Sequence, residues 1–270
     1  MLTDRMYSKT IEHAHELSRN LPNTVPEDIE AVPSRFHLFS DDRISVIYAP
    51  INHINRTARI LILGITPGWQ QAKIAFETAI AMRGCSDDEV GREVKRRAAF
   101  AGSMRKNLVS MLDELGVARL LCIKTTAEMF AARSDLLHST SALRYPVFKR
   151  GANFSGYDPN PTRHPFLLSM IEHLLAPELA AVPDALIIPL GRSVEAVLDY
   201  LSVTGRLEEA RWMKGFPHPS GANGHRKRFF EYRKKELAIA AERWFSRSAE
   251  VAYDGVDRPS TRRLSPNGKA

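Results

Sequence analysis

Arg59-Ile60-Leu61-Ile62-Leu63-Gly64-Ile65-Thr66-Pro67-Gly68 is the stretch on which the fold turns. Its first half is a continuous apolar run, the pattern of a strand buried on both faces rather than one alternating between core and solvent. Its second half ends that strand with two glycines and a proline, and a helical stretch over 69–82 follows. A strand of this kind implies parallel neighbours with helices above and below. Asp135-Leu136-Leu137-His138-Ser139-Thr140-Ser141 reads as a second strand whose far end turns polar. Ala185-Leu186-Ile187-Ile188-Pro189-Leu190-Gly191 reads as a third, and 210–216 as a short, half-apolar fourth. Helical spacing links them at Leu108, Met111, Leu112 and Leu115, at Leu167, Met170, Ile171 and Leu174, and at Val194, Val197, Leu198 and Leu201. Phe230, Leu237, Ala241 and Trp244 mark a closing helix. The alternation predicts a three-layer α/β/α sandwich around a central, mainly parallel four-stranded sheet with right-handed crossovers.

Outward from that frame, residues 1–35 are helical and then punctuated by Pro22, Pro26 and Pro33, an arm lying on a domain of 36–245. Residues 145–165 are rich in Gly, Asn and Pro and read as a long surface loop, which by its length is a functional suspect. The polar residues 246–270 read as a disordered tail.

Composition bounds the function. The 38 basic and 31 acidic residues give +7, with a pI near 9.5, a balance suited to a polyanionic partner. Cys85 and Cys122 are the only cysteines, which argues against a disulfide framework, a zinc ribbon and a four-cysteine cluster. His13, His15, His164 and His173 lack any recognisable ligand set, so no metal site is expected. The first residues lack a secretory signature and no apolar run approaches the ~20 residues of a membrane span, so a cytoplasmic setting is expected. A monomer is the default expectation, which no motif specifies.

In open parallel sheets, ligands bind at the carboxyl ends of the strands. Three of those ends carry unusual residues: Thr66 with Pro67 and Gly68, His138 with Ser139, and His218 with Ser220. Pro217 and Pro219 fix the backbone on either side of His218, so its loop is stiff. Each residue also has a plainer role open to it. Thr66 suits the N-cap of a helix opened by Pro67, Phe100 and His138 suit the core, and the bases at 226–228 and 233–235 suit a solvated helix face.

Taken together and in order, these segments resemble the uracil-DNA glycosylase superfamily over about 59–244. Gly64-Ile65-Thr66-Pro67-Gly68 resembles its first motif, and His218-Pro219-Ser220-Gly221-Ala222-Asn223 its last. Ala99-Phe100 followed by Ser103 and Lys106-Asn107-Leu108 is similar to the base-stacking phenylalanine and phosphate-contacting serine. Leu136-Leu137-His138 is similar to the strand end that offers an asparagine to the base, and 187–191 to the strand ending in leucine-glycine.

The resemblance implies a DNA glycosylase that needs neither metal nor cofactor and flips an altered base out of duplex or single-stranded DNA. It implies that His218 stabilises the departing base and that Thr66 positions water, in a place usually held by aspartate or asparagine. Gly64, Ile65, Pro67, Gly68, Phe100 and His138 would form the base pocket. Ser103, Pro219, Ser220, Gly221, Ala222, Asn223 and Arg226 would contact DNA. Gly68 stands where strict uracil enzymes carry a tyrosine, and Ala222 where a bulky wedge is common. Two other readings stay open: a non-catalytic nucleic-acid binder on the same fold, and a small-molecule enzyme using 64–68 for a nucleotide phosphate.

Overall fold

The computed structural model describes residues 16–98, 100, 103–220 and 224–254, with side chains through 247 except that of Ser103. Its centre is the predicted strand, β3 (Ile60–Gly64), flanked by β4 (Leu137–Ser141) and β7 (Leu186–Pro189) in a three-stranded sheet of order β4-β3-β7. Both pairings are parallel, with Leu61 opposite His138 on one side and Ile187 on the other. Strand geometry sends alternate side chains to opposite faces. Leu61, Leu63 and Ile187 enter one core, while Ile60, Ile62, Leu186 and Ile188 enter a second.

Helices cover each face. Against the first core lie Trp69–Ala81, Pro165–Met170 and Arg192–Val203, through residues such as Phe76, Phe166 and Val197. Against the second lie Ser103–Glu114, Val117–Leu120 and Arg226–Asp254, through Leu108, Val117 and Phe230. A mixed α/β architecture with a parallel sheet at its centre is therefore present.

The expected fourth strand is not. Residues Glu209–Arg211 form a 3-10 turn, and pairing at 210–216 shrinks to one parallel bridge between Ile187 and Trp212. Met213 N–H still donates to the Ile187 carbonyl at 2.9 Å. Gly215, at φ +84°, then turns the chain away, and Pro217 and Pro219 have no N–H to give to a ladder.

Residues 145–165 also differ from the expected bare loop. They contribute β5 (Val147–Lys149) and β6 (Ala152–Asn153) to an antiparallel sheet completed by β1 (His37–Ser40) and β2 (Ser45–Ile47), in the order β1-β2-β5-β6. Arg150 and Gly151, both at positive φ, make the two-residue hairpin turn. Val147, Phe148 and Phe154 are buried. Their apolar signal is diluted in sequence by the surrounding Gly, Asn and Pro.

The closing helix overruns its expected end, continuing through Asp254, with Phe245 its last residue in the second core. Within the proline-punctuated arm, Leu17 and Val32 are buried in the first core. Residues 1–15 and 255–270 lie outside the described residues. Among the described residues, no helix is long and apolar enough to cross a membrane.

Because β3 is buried on both faces, truncating it is costly. Leu63→Ala is expected to lower the unfolding free energy by about 2–5 kcal/mol. Val203→Ala, at a side chain 89% exposed, is expected to stay within about 0.5 kcal/mol of the parent. Denaturant titration of the two variants checks both.

Candidate active site

The carboxyl ends of β3 and β4 meet at Gly64 and Ser141, which are register partners. Ala142 and Leu143 N–H groups continue the pairing to the Gly64 and Ile65 carbonyls at 2.8 and 2.9 Å. Phe100, buried and at φ +45°, brings its ring to this corner. A Cβ on Gly64 would lie 3.8 Å from Phe100 Cε1 and 3.6 Å from Ser141 Oγ. Beside them opens a cleft of about 70 Å³, lined by Gly64, Thr66, Pro67, Phe100, Lys95 and Arg144 among others. Gly64, Thr66, Pro67 and Phe100, which the resemblance assigns to the site, thus line one cleft.

Ile65 and Gly68 serve the frame around this cleft. Ile65 packs where a Gly156 Cβ would be, with 2.5 Å to its Cγ1. Gly68 is the N-cap of the Trp69–Ala81 helix, so Thr66 is not. Gln71 Oε1 accepts the Gly68 N–H at 2.6 Å, and Asn153 Oδ1 accepts the Trp69 N–H at 2.9 Å. The Asn153 side chain would meet a Gly68 Cβ at 3.3 Å, so the space left by glycine is already bordered by a polar side chain.

Thr66 is committed elsewhere. Its hydroxyl donates to the Tyr145 carbonyl at 3.1 Å and accepts the Val147 N–H at 3.0 Å. That pair of bonds clips the β3 loop to the antiparallel sheet. It uses the one donor a hydroxyl has and one of its two acceptor sites.

His138, expected at the base pocket, is outside the lining of this cleft. It lies near the start of β4, three residues before the strand ends at Ser141, and is 1% exposed. One ring nitrogen, Nε2, is 2.8 Å from Glu178 Oε1, and Nδ1 accepts a long bond from the Asn55 N–H at 3.5 Å. Burial pushes the imidazole below its ordinary value, against the pull of Glu178, so the ring is neutral and donates through Nε2. Burial alone would raise the Glu178 carboxyl, but the Arg144 guanidinium, the His138 hydrogen bond and the Lys95 amine outweigh it and hold it well below the carboxylate range. Arg144 Nη2 donates to Glu178 Oε2 at 2.7 Å. This network is a buried prop beneath the cleft, and the strand-end position belongs to Ser141.

His218 stands at the neighbouring strand end, outside the lining of the cleft. A Cβ on Gly191, which follows β7 at φ +98°, would lie 3.3 Å from His218 Cδ2, so only glycine allows this approach. His218 Nδ1 accepts the Ser220 N–H at 3.1 Å. Burial lowers the imidazole from its ordinary 6.5, and a neutral ring with Nδ1 accepting carries its proton on Nε2. The loop is held from two sides. Asn107 Nδ2 donates to the Pro219 carbonyl at 2.8 Å, and Arg226 Nη1 donates to the Pro219 and Ser220 carbonyls at 3.2 and 2.6 Å. Arg226 and Asn107 therefore shape the loop, a role that spacing did not reveal for either. Gly221, Ala222, Asn223 and the Ser103 side chain lie outside the described residues.

Lys95, Ser141 and Arg144 also escaped sequence reading. Lys95 sits in a charged run on the Asp87–Ala98 helix, where lysine ordinarily faces solvent. Here its Nζ donates to the Ser139 carbonyl at 2.8 Å, and burial pushes its amine down to about 8. Among the described residues, no group of three or more His, Cys, Asp or Glu side chains is arranged to hold a metal ion.

Compared with known proteins, the chain is 38% identical over 221 residues to the uncharacterized protein YoxB of Bacillus subtilis (strain 168), across 80% of this chain and 86% of YoxB. At that identity and coverage the two belong to one protein family. No protein-family model and no solved structure matches the chain.

Removing one member of a buried ion network strands the others. Glu178→Ala is expected to cost about 3–5 kcal/mol of stability, read by denaturant titration. His138 supplies a pH signature. Its folded value is depressed, so its contribution is complete above the unfolded value near 6.5 and is lost as the pH falls toward the folded value. His53 and His218 shift in the same direction. The decline in stability between pH 7.5 and 5 should therefore become shallower, without vanishing, in His138→Gln.

Proposed function

We propose that this member of the YoxB family is a DNA glycosylase of the uracil-DNA glycosylase type, hydrolysing the N-glycosidic bond of a flipped uracil or other altered base. One observation carries the reading. The ends of three adjacent parallel strands bear an aromatic-walled cleft at Gly64, Phe100 and Ser141 and, beside it, a neutral, backbone-anchored histidine against Gly191. The Ile187–Trp212 bridge fits the same architecture as the remnant of a fourth strand leading into the histidine loop. A cytoplasmic, metal-independent enzyme acting on DNA belongs to this reading.

In the reaction, water adds its oxygen to the sugar C1′, the C1′–N bond breaks, and the base leaves with the bonding pair and takes up a proton. Charge accumulates on the base as it departs. A fixed N–H donor meets that charge without reorganising, an effect worth about 3–4 kcal/mol at comparable sites. His218 suits this role because its protonated nitrogen is Nε2 and its loop is anchored at Nδ1, Pro219 and Ser220. Phe100 would stack on the base, and Lys95 and Ser141 would border it.

Among the described residues, the cleft lining contains no carboxylate to activate water, and the Thr66 hydroxyl is bonded to backbone. Catalysis would thus rest on leaving-group stabilisation. The same commitment of Thr66 favours a second reading, a nucleic-acid binder on this fold that performs no chemistry.

Incubation of the purified chain with oligonucleotides bearing uracil, hypoxanthine or a G·T mismatch, followed by alkaline cleavage, separates the two. Abasic product is expected, with His218→Ala slowing its formation by about 10²–10³-fold. Salt-sensitive binding that survives His218→Ala, with no abasic product from any substrate, would establish the binder instead.

A further inference from the structure

The closing helix has two unlike faces. Phe230, Leu237, Ala241 and Phe245 are buried in the second core. On the solvent side, His225, Arg228, Phe229 and Tyr232 follow at i, i+3, i+4 and i+7, a spacing that aligns them on one stripe. They line a groove of about 340 Å³. Phe229 is 39% exposed and Tyr232 81% exposed.

The stripe has the chemistry of a stacking platform. Two exposed aromatic side chains stand beside an exposed histidine and arginine, and among the described residues no carboxylate lines the groove. Arg233 and Lys234 are neutralised by Glu236 and Glu114, whereas among the described residues Lys227 and Arg228 enter no ion pair. The platform also begins where the histidine loop ends, since Arg226, the first residue of the helix, is bonded to the Pro219 and Ser220 carbonyls. A ligand with a polyanionic backbone and flat, apolar-faced rings complements both features. In a duplex those rings are stacked on one another and unavailable; in a single strand they are free to lie on aromatic side chains.

We infer that Phe229, Tyr232, Arg228 and His225 form a binding platform for single-stranded nucleic acid, on which bases flanking the histidine loop stack. The inference rests on the proposed action at nucleic acid and adds its strandedness, but its test needs no chemistry. Binding of the full chain to a labelled single strand without altered bases, and to a duplex of equal length, is measured by fluorescence anisotropy across a salt series.

The single strand is expected to bind at least tenfold more tightly. Phe229→Ala with Tyr232→Ala should weaken single-strand binding at least tenfold with little change for duplex, while Tyr232→Phe keeps affinity. Arg228→Gln should reduce the salt slope by about one. Both aromatic side chains are exposed, and a thermal melt of the double variant confirms that the fold is retained.

Equal or tighter duplex binding overturns the inference, as does a double variant that binds like the parent. Equal affinity for polyglutamate, unaffected by loss of the aromatics, also overturns it by reducing the patch to a charge site. If excision fails while the aromatic-dependent preference holds, only the glycosylase reading falls. If excision proceeds on duplex with the double variant unimpaired in binding, only the platform falls.

Discussion

Complete burial of one short strand constrains everything else in this protein. Every residue from Ile60 to Leu63 is inaccessible to solvent, so each backbone polar group there needs a protein partner and each face needs an apolar cover. The first demand brings β4 and β7 alongside, one on each edge. The second brings two separate helix layers, because alternate side chains feed two separate cores. Once those demands are met, all three strands point the same way and their carboxyl ends finish together.

Those shared ends are where the constraint relaxes. Beyond Gly64 and Gly191 the chain is free to turn, and glycine is needed where another group must come close. At Gly191 that group is the His218 ring. The antiparallel sheet then supports the turn from the side, through the Thr66 hydroxyl and the Asn153 cap on the following helix. The small sheet acts as a brace for the first loop, which explains why a threonine there is occupied by backbone rather than left for water.

Charge is handled by a buried network. Glu178 faces Arg144, His138 and Lys95 in a part of the interior where no isolated ion is tolerable. The carboxylate opposes the burial that pushes the Lys95 amine down, while burial holds the His138 imidazole below its ordinary value despite the same carboxylate. Polar residues on β4 that look like ligand-reading groups are thereby divided. His138 belongs to the prop, and Ser141 belongs to the cleft.

The amino-acid pattern alone pointed to β3, β4 and β7 and to the longer helices that cover them, because apolar runs and 3.6-residue periodicity are local consequences of burial, but not to Val117–Leu120. It also marked the proline-flanked His218 as held on a stiff loop, a local consequence of Pro217 and Pro219, whereas Phe100 and Gly64 are singled out by resemblance alone. The tertiary structure decided what depends on partners distant in the chain. His138 is a core residue because Glu178, forty positions later, meets it. Thr66 is a clip because Tyr145 and Val147 arrive beside it. The fourth strand fails because Gly215 and two prolines follow a single bridge, and 145–165 pairs as a hairpin because β2 offers it an edge. A hydroxyl or an imidazole has the same sequence signature whether it is spent on the fold or kept for a ligand, and only the positions of its partners tell the two apart.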